Sequence, residues 1–243
     1  MTLLDSYHEN PFFILTASAR DTRVTLIEKQ EELALFGGEE KAEQAMAKLL
    51  NPQTRVEAEI QWFPLMETQE SQDLIRFFER HRDDTEMPTQ RPLSMLGQFN
   101  ILRLGLSRIQ IQTVSELKAI LQSSAIAADA LIPRQVMEEI NQDRKQSGFP
   151  EITNQSEIEL QVRELMRETI KAYLDNLSRG ITGDELSETV KELKKEYVNA
   201  SSPYHNSYFL EMAADHLGVY LRNTLKYHRP FFGRSKPLKG ETP

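Results

Sequence analysis

Between Ile158 and Leu177 the apolar residues Ile158, Val162, Leu165, Met166, Ile170, Tyr173, Leu174 and Leu177 recur at three- and four-residue steps. A stripe of that period, sustained over that length, predicts an amphipathic helix and excludes a strand, which would need strict alternation. Gly180 stops the helix, and Thr182-Gly183-Asp184-Glu185 forms a capping box that opens a second long helix carrying Leu186, Val190, Leu193 and Tyr197. Two such helices joined by Arg179-Gly180-Ile181 predict an antiparallel hairpin. The same period recurs in Gln69 to Arg82 (Leu74, Ile75, Phe77, Phe78), in Leu93 to Leu106 (Leu96, Phe99, Ile101, Leu102, Leu106) and in Ser115 to Ala130 (Leu117, Ile120, Leu121, Ile126). Pro133 starts a shorter helix ending near Gly148, and a final one runs from Tyr204 to about Tyr227 after Ser201-Ser202-Pro203. The strand-like alternation Ile109-Gln110-Ile111-Gln112 is short and without a partner. The expected fold class is all-α.

A chain of 243 residues with 39% hydrophobic and 27% charged residues has enough apolar material for one or two globular domains. It has no cysteine, which removes disulfides, thiol catalysis and thiolate metal sites and fits a reducing cytoplasm. The formal charge of -8 argues against a general nucleic-acid coat, while leaving room for a local basic patch. The start, Met1-Thr2-Leu3-Leu4-Asp5-Ser6, has no basic region followed by an apolar run, and no apolar stretch of about 18 residues follows anywhere. A soluble, cytoplasmic protein with no membrane segment is expected.

Four features of Asn10 to Phe63 occur in a fixed order. Asn10-Pro11-Phe12-Phe13-Ile14-Leu15 is a short aromatic helix; Ser18-Ala19-Arg20-Asp21 has the spacing of a capping box opening a second helix. Along that helix Val24, Ile27, Glu31 and Leu35 fall on one side, with Val24, Ile27 and Leu35 as an interrupted apolar stripe. A third helix carries Ala42, Ala45, Met46, Leu49 and Leu50, a mixture of small and long side chains suited to close packing. It ends in Leu50-Asn51-Pro52-Gln53-Thr54-Arg55, where Asn51 is a good cap and Pro52 fits the first helical position, and Val56, Ile60 and Phe63 would seat a fourth helix on the others. In this order and spacing the segment resembles a J domain, the helical module with which DnaJ-type proteins engage a DnaK-type chaperone. The first helix looks like the J-domain D-Y-Y-x-x-L, and the Asn51-Pro52 turn looks like its L-S-D-P-x-x-R.

The resemblance implies a small helical bundle, and it breaks where J domains carry their activity. They place His-Pro-Asp between the second and third helices, and that triplet stimulates the chaperone ATPase. Here the loop is Leu35-Phe36-Gly37-Gly38, and Glu28, Glu31 and Glu32 dilute the basic face offered by Arg20, Arg23 and Lys29. The resemblance therefore implies the scaffold of a J domain without its activity. The expected organisation is a degenerate J-like domain over 1–64, a helical interaction domain over 69–228 and a basic flexible tail over 229–243, with the proline-broken run Asp83 to Pro92 as a linker.

Chemistry-bearing constellations are sparse. Between His216 and Gly240 there is no acid, while Arg222, Lys226, His228, Arg229, Arg234, Lys236 and Lys239 interleave with Tyr227, Phe231 and Phe232. Cations beside aromatic rings suit single-stranded nucleic acid, and they equally suit an acidic protein partner or a solvated helix end. Glu211, Asp215 and His216 share a helix face without amounting to a metal site. Glu116-Leu117-Lys118 and Glu192-Leu193-Lys194 match half of a nuclease signature but lie in helical patterns. No phosphate-binding glycine loop, H-E-x-x-H or G-x-S-x-G is present, and the five histidines are scattered. No catalytic residue, cofactor or metal is expected. Candidate partner-binding residues are Trp62, Phe63, Met166, Tyr173 and Tyr197, set against a core role that the same side chains fit better. The expectation is a non-catalytic interaction or assembly subunit; the alternative is a nucleic-acid-binding accessory protein acting through Arg222, Lys226, Arg229, Phe231, Phe232, Arg234 and Lys236.

Overall fold

A computed structural model describes residues 3–80, 93–106, 109–178 and 180–227. The expected linker at Asp83 to Pro92 and the expected tail at 229–243 lie outside the described residues. Among the described residues there is no β-strand, and the fold is all-α. The first five helices are α1 (Leu3–His8), α2 (Pro11–Ile14), α3 (Arg23–Leu33), α4 (Glu39–Leu50) and α5 (Pro52–Ile60); α3 joins α4 through a wide turn, Ala34–Gly38. Then come α6 (Thr68–Arg80), α7 (Met95–Leu106), α8 (Val114–Asp129), α9 (Pro133–Ser147), α10 (Gln155–Asp175), α11 (Gly183–Val198) and α12 (Tyr208–Tyr227). No helix among the described residues is long and apolar enough to cross a membrane.

Local chemistry sets many of the boundaries. Asn51 caps α5 by accepting from the Gln53 N–H, with Pro52 at the first position. Thr113 with Glu116 and Thr182 with Glu185 form full capping boxes on α8 and α11. Gly148 ends α9 in the left-handed conformation at φ 73°, which a side chain would strain. At α3 the sequence reading needs correction. The cap is Thr22, whose hydroxyl accepts from the Thr25 N–H; Asp21 instead closes a turn by accepting from the Ser18 N–H. The last helix starts at Tyr208, not Tyr204, because Ser207 takes the capping role and accepts from the Leu210 N–H. Ile109 to Gln112 yields one isolated bridge, with Ile111 and Leu177 side by side.

Two apolar cores form. The first gathers Tyr7, Phe12, Leu26, Ala42, Ala45, Met46, Leu49, Trp62 and Phe63 with Leu74 and Ile75 of α6 and Ile101 and Leu104 of α7. The second is built on α8 to α12 around Leu121, Val162, Tyr173, Leu193 and Phe209. Helices α5 and α7 serve both: Val56, Ile60, Leu96 and Phe99 join the second core, while Ala58, Ile101 and Leu104 join the first. The close helix pair differs from the one expected. α11 packs chiefly on α12, and α10 lies against α9, α12 and α5. The loop from Asn199 to Ser207 turns the chain back, with the Asn206 N–H bonded to the Tyr197 carbonyl and Lys194 reaching Asp215.

Candidate functional site

The candidate site is a tip on a rigid frame, and the frame is held by buried charge. Glu59 on α5 accepts from Arg55 Nε at 2.7 Å, and from Arg144 of α9 through Nε at 2.9 Å and Nη2 at 2.7 Å, all three side chains being nearly inaccessible. Two guanidinium groups on one carboxylate leave excess positive charge, which other groups absorb. Arg55 donates to the Ala19 carbonyl, Arg144 donates to the Pro150 carbonyl, and the Phe149 ring centroid lies 3.5 Å from Arg55 Cζ. Burial pushes the Arg55 pKa down, against the pull of Glu59. One residue earlier on α9, Asp143 accepts from Arg20 Nε at 2.9 Å and from the Leu65 N–H at 2.8 Å, and burial pushes its carboxyl up. Adjacent positions on α9 thus clamp the N-terminal segment at three places.

This clamp uses up part of the basic face read from the sequence. Arg20 is held by Asp143 and by Glu67 at 2.6 Å, and Lys29 by Asp21 at 3.1 Å. Burial works against the charge on Arg20, but its hydrogen bonds to Asp143 and Glu67 outweigh that and raise its pKa. Arg23 is exposed.

A second buried network lies between the cores. Asn100 of α7 donates to the carbonyls of Ile60 and Trp62, its own carbonyl accepts from the Tyr7 hydroxyl at 2.8 Å, and its side-chain oxygen accepts from Arg103 Nη1. Burial pushes the Tyr7 hydroxyl up to about 12. Arg103 Nε and Nη2 have no hydrogen-bond partner among the described residues, and Glu168 lies 3.7 Å away.

Most of the expected partner-binding residues are core. Trp62 and Phe63 are fully inaccessible, packed with Phe12 and Tyr7 at ring-centroid distances of 5.9 and 5.6 Å. Tyr173 is buried with its hydroxyl 3.0 Å from Ser124, and Met166 is buried beside Val162 and Tyr208 at a cavity of about 410 Å³. Tyr197 is half-buried on the second core. These side chains are spent inside the molecule, because an amphipathic stripe buries itself on its own domain when neighbouring helices are there to cover it. Arg222 is exposed at the end of α12; the side chain of Lys226 and all of Arg229, Phe231, Phe232, Arg234 and Lys236 lie outside the described residues.

Exposed apolar side chains occur on several helices, and the two most exposed among the described residues are adjacent on the turn after α3. Leu35 is 85% and Phe36 84% exposed, with Val24 at 65% and Ile27 at 38%. Helix α3 buries Leu26 on the first core and packs Leu33 against it, so the Val24, Ile27 and Leu35 stripe faces water. The interrupted stripe read from the sequence is thus the outer face of the helix. Two apolar faces compete on this helix, and Leu26 with Leu33 supplies the inner one. Gly37, at φ 85°, permits the turn that carries Leu35 and Phe36 outward. Left in water, each of those two side chains forgoes about 1.5–3 kcal/mol that burial would supply. An adjacent exposed pair continuing an apolar stripe is a surface suited to a partner.

Acidic residues are frequent in the sequence on both sides of the tip. Glu28, Glu31, Glu32, Glu39, Glu40 and Glu43 are all exposed, against Lys29 and Lys41. Elsewhere a cavity of about 430 Å³ between α2, α5 and α10 is lined by Glu9, Glu57, Asp175, Lys48 and Lys171, all exposed, which differs from the apolar enclosure that small ligands favour. On α12, His216 Nδ1 lies 2.9 Å from the Met212 carbonyl. Searches against family models, curated proteins and solved structures found no match for this chain.

Proposed function

We propose that this chain is a non-catalytic interaction or assembly subunit that docks a protein partner through the Leu35-Phe36 tip and the outer face of α3. The reading rests on one observation: Leu35 and Phe36 stand in water on a turn whose two flanking helices are locked to a core. A mobile loop would pay to order these side chains on binding; a tip carried between packed helices has much of that cost met in advance. The segment's resemblance to a J domain supplies the second support. It gives a docking module in the place where such domains meet a chaperone, with the His-Pro-Asp triplet replaced, so stimulation of a chaperone ATPase is not part of the function.

The test compares wild type with a Leu35→Ser/Phe36→Ser variant as immobilised full-length bait. Loss of a specific co-purifying protein, by about tenfold or more, is expected for the variant, since apolar anchors at the centre of an interface carry most of its energy. A DnaK-type chaperone's ATPase rate should be unchanged by wild type. Equal recovery of partners by wild type and variant would remove the tip from the docking surface, and a stimulated ATPase would restore the co-chaperone reading.

A further inference from the structure

Resting on the docking reading above, we infer that the partner of the Leu35-Phe36 tip is a protein whose contact surface sets lysine or arginine side chains around an apolar socket. The socket follows from exposure. Leu35 and Phe36 are 85% and 84% exposed, and Val24 and Ile27 carry the same apolar face back along α3. The cations follow from what interrupts that face. At about 100° per residue, Val24, Ile27, Glu28, Glu31 and Leu35 fall within an arc of about 100°, while Leu26 and Leu33 lie on the side that meets the first core. Gly37 is the residue of the Ala34–Gly38 turn that leaves helical φ/ψ, so Glu31 and Glu32 stand roughly one turn before Leu35 and Phe36. A surface that covers the apolar pair and the outer face of α3 meets these carboxylates too.

The fold itself makes no use of them. Glu28, Glu31 and Glu32 are exposed, and their carboxylates form no ion pair among the described residues. Lys29, the cation between them in sequence, is held by Asp21 and the Thr16 carbonyl. Spacings of three and four residues put Glu28 beside Glu31 and Glu32, so like charges repel along the helix. Glu31 and Glu32 also lie in the last turn of α3, the end where the helix dipole favours cations and this helix has none. Glu39 and Glu40 differ, because they sit in the first turn of α4, where the dipole favours acids, and Glu40 accepts from Gln44. Cations brought by a partner relieve the repulsion on α3. The same three acids turn away nucleic acid, anionic lipid and a second copy of this face.

The probes are two short amphipathic peptides with the same leucine stripe, one carrying lysine and the other glutamate at its polar positions, each followed by fluorescence anisotropy against the full chain. The lysine peptide should bind wild type saturably. Its affinity should be at least about tenfold lower for Glu28→Gln/Glu31→Gln/Glu32→Gln and for Leu35→Ser/Phe36→Ser, and added salt should erase most of the first difference. Glu188→Gln/Glu192→Gln/Glu211→Gln removes the same charge from exposed positions of α11 and α12 and should bind as wild type does. The urea midpoint of Glu28→Gln/Glu31→Gln/Glu32→Gln should equal or exceed that of wild type; a lower one assigns these acids to the fold and overturns the inference. So would equal binding of the glutamate peptide, no saturable binding of the lysine peptide, or an equal loss from the α11 and α12 variant. The two readings fail separately. Wild-type affinity after Glu28→Gln/Glu31→Gln/Glu32→Gln, with Leu35→Ser/Phe36→Ser still impaired, strikes the cationic partner alone, whereas partner recovery unchanged by Leu35→Ser/Phe36→Ser strikes the docking surface itself.

Discussion

Glu59 is a carboxylate shared by two arginines in a site that water scarcely reaches, and its removal has a different consequence from the removal of a surface acid. With Glu59 gone, Arg55 and Arg144 stay buried without the carboxylate they share, left with backbone carbonyls, the Phe149 and Phe12 rings and the charge of Asp143. Breaking such a cluster from one side costs about 3–5 kcal/mol, whereas an exposed pair such as Arg134 with Glu138 contributes about 0–1 kcal/mol. Glu59→Ala is therefore expected to lower the urea midpoint far more than Glu138→Ala, and equal midpoints would show that Glu59 is dispensable. None of this was legible in the sequence. Arg144 and Glu59 stand 85 positions apart, so no local pattern joins them. The caps at Asn51 and Thr182 are different: donor, acceptor and spacing lie within one turn, and a residue-by-residue reading finds them.

At the scale of the element, α3 is the instructive case. Periodicity identifies it as a helix and gives a correct third helix with Ala42, Ala45, Met46 and Leu49 inside, because α4 has a single apolar face. α3 has two, and period alone cannot choose between them. Leu26 lies inward and Val24 with Ile27 outward, since Leu26 and Leu33 are the residues of this helix that reach the first core. The same limit applies to Ile126, which fits the stripe of α8 but is 67% exposed. α10 and α11 are each correct as helices, but α11 packs chiefly on α12, while α10 lies against α9, α12 and α5. The two faces of α3 make opposite predictions. Leu26→Ala removes a fully buried side chain and should cost about 2–5 kcal/mol. Leu35→Ser/Phe36→Ser should change stability by no more than about 0.5 kcal/mol, because nothing packs against either residue that the substitution would leave exposed. Chemical denaturation of both variants separates the faces; a large loss from the tip substitution would place those side chains in the fold's own energetics.

On the scale of the whole molecule, the question is whether two cores make two folding units. Helix α5 sends Val56 and Ile60 to one core and Ala58 to the other, and α7 divides its buried residues in the same way. Unfolding either core therefore strips partners from helices the other needs. The charge cluster adds to this, since Arg144 and Asp143 belong to α9 while Glu59, Arg20 and the Leu65 N–H belong to the N-terminal segment. Separating the two halves would leave those groups without their partners at a cost of several kcal/mol, comparable with the 5–15 kcal/mol total stability typical of a domain. Cooperative unfolding as one unit follows, even though the sequence reads as a small bundle followed by a larger domain. The single tryptophan makes this measurable: Trp62 is fully inaccessible in the first core, whereas most helical residues that dominate the far-UV signal belong to α8 to α12 and the second core. Trp62 emission and ellipticity at 222 nm should lose their native values at the same urea concentration. Glu59→Ala should move both transitions together. An emission change completed before the ellipticity falls would show that the N-terminal bundle opens alone, and the shared helices would then be contact surfaces between two units instead of the frame of one.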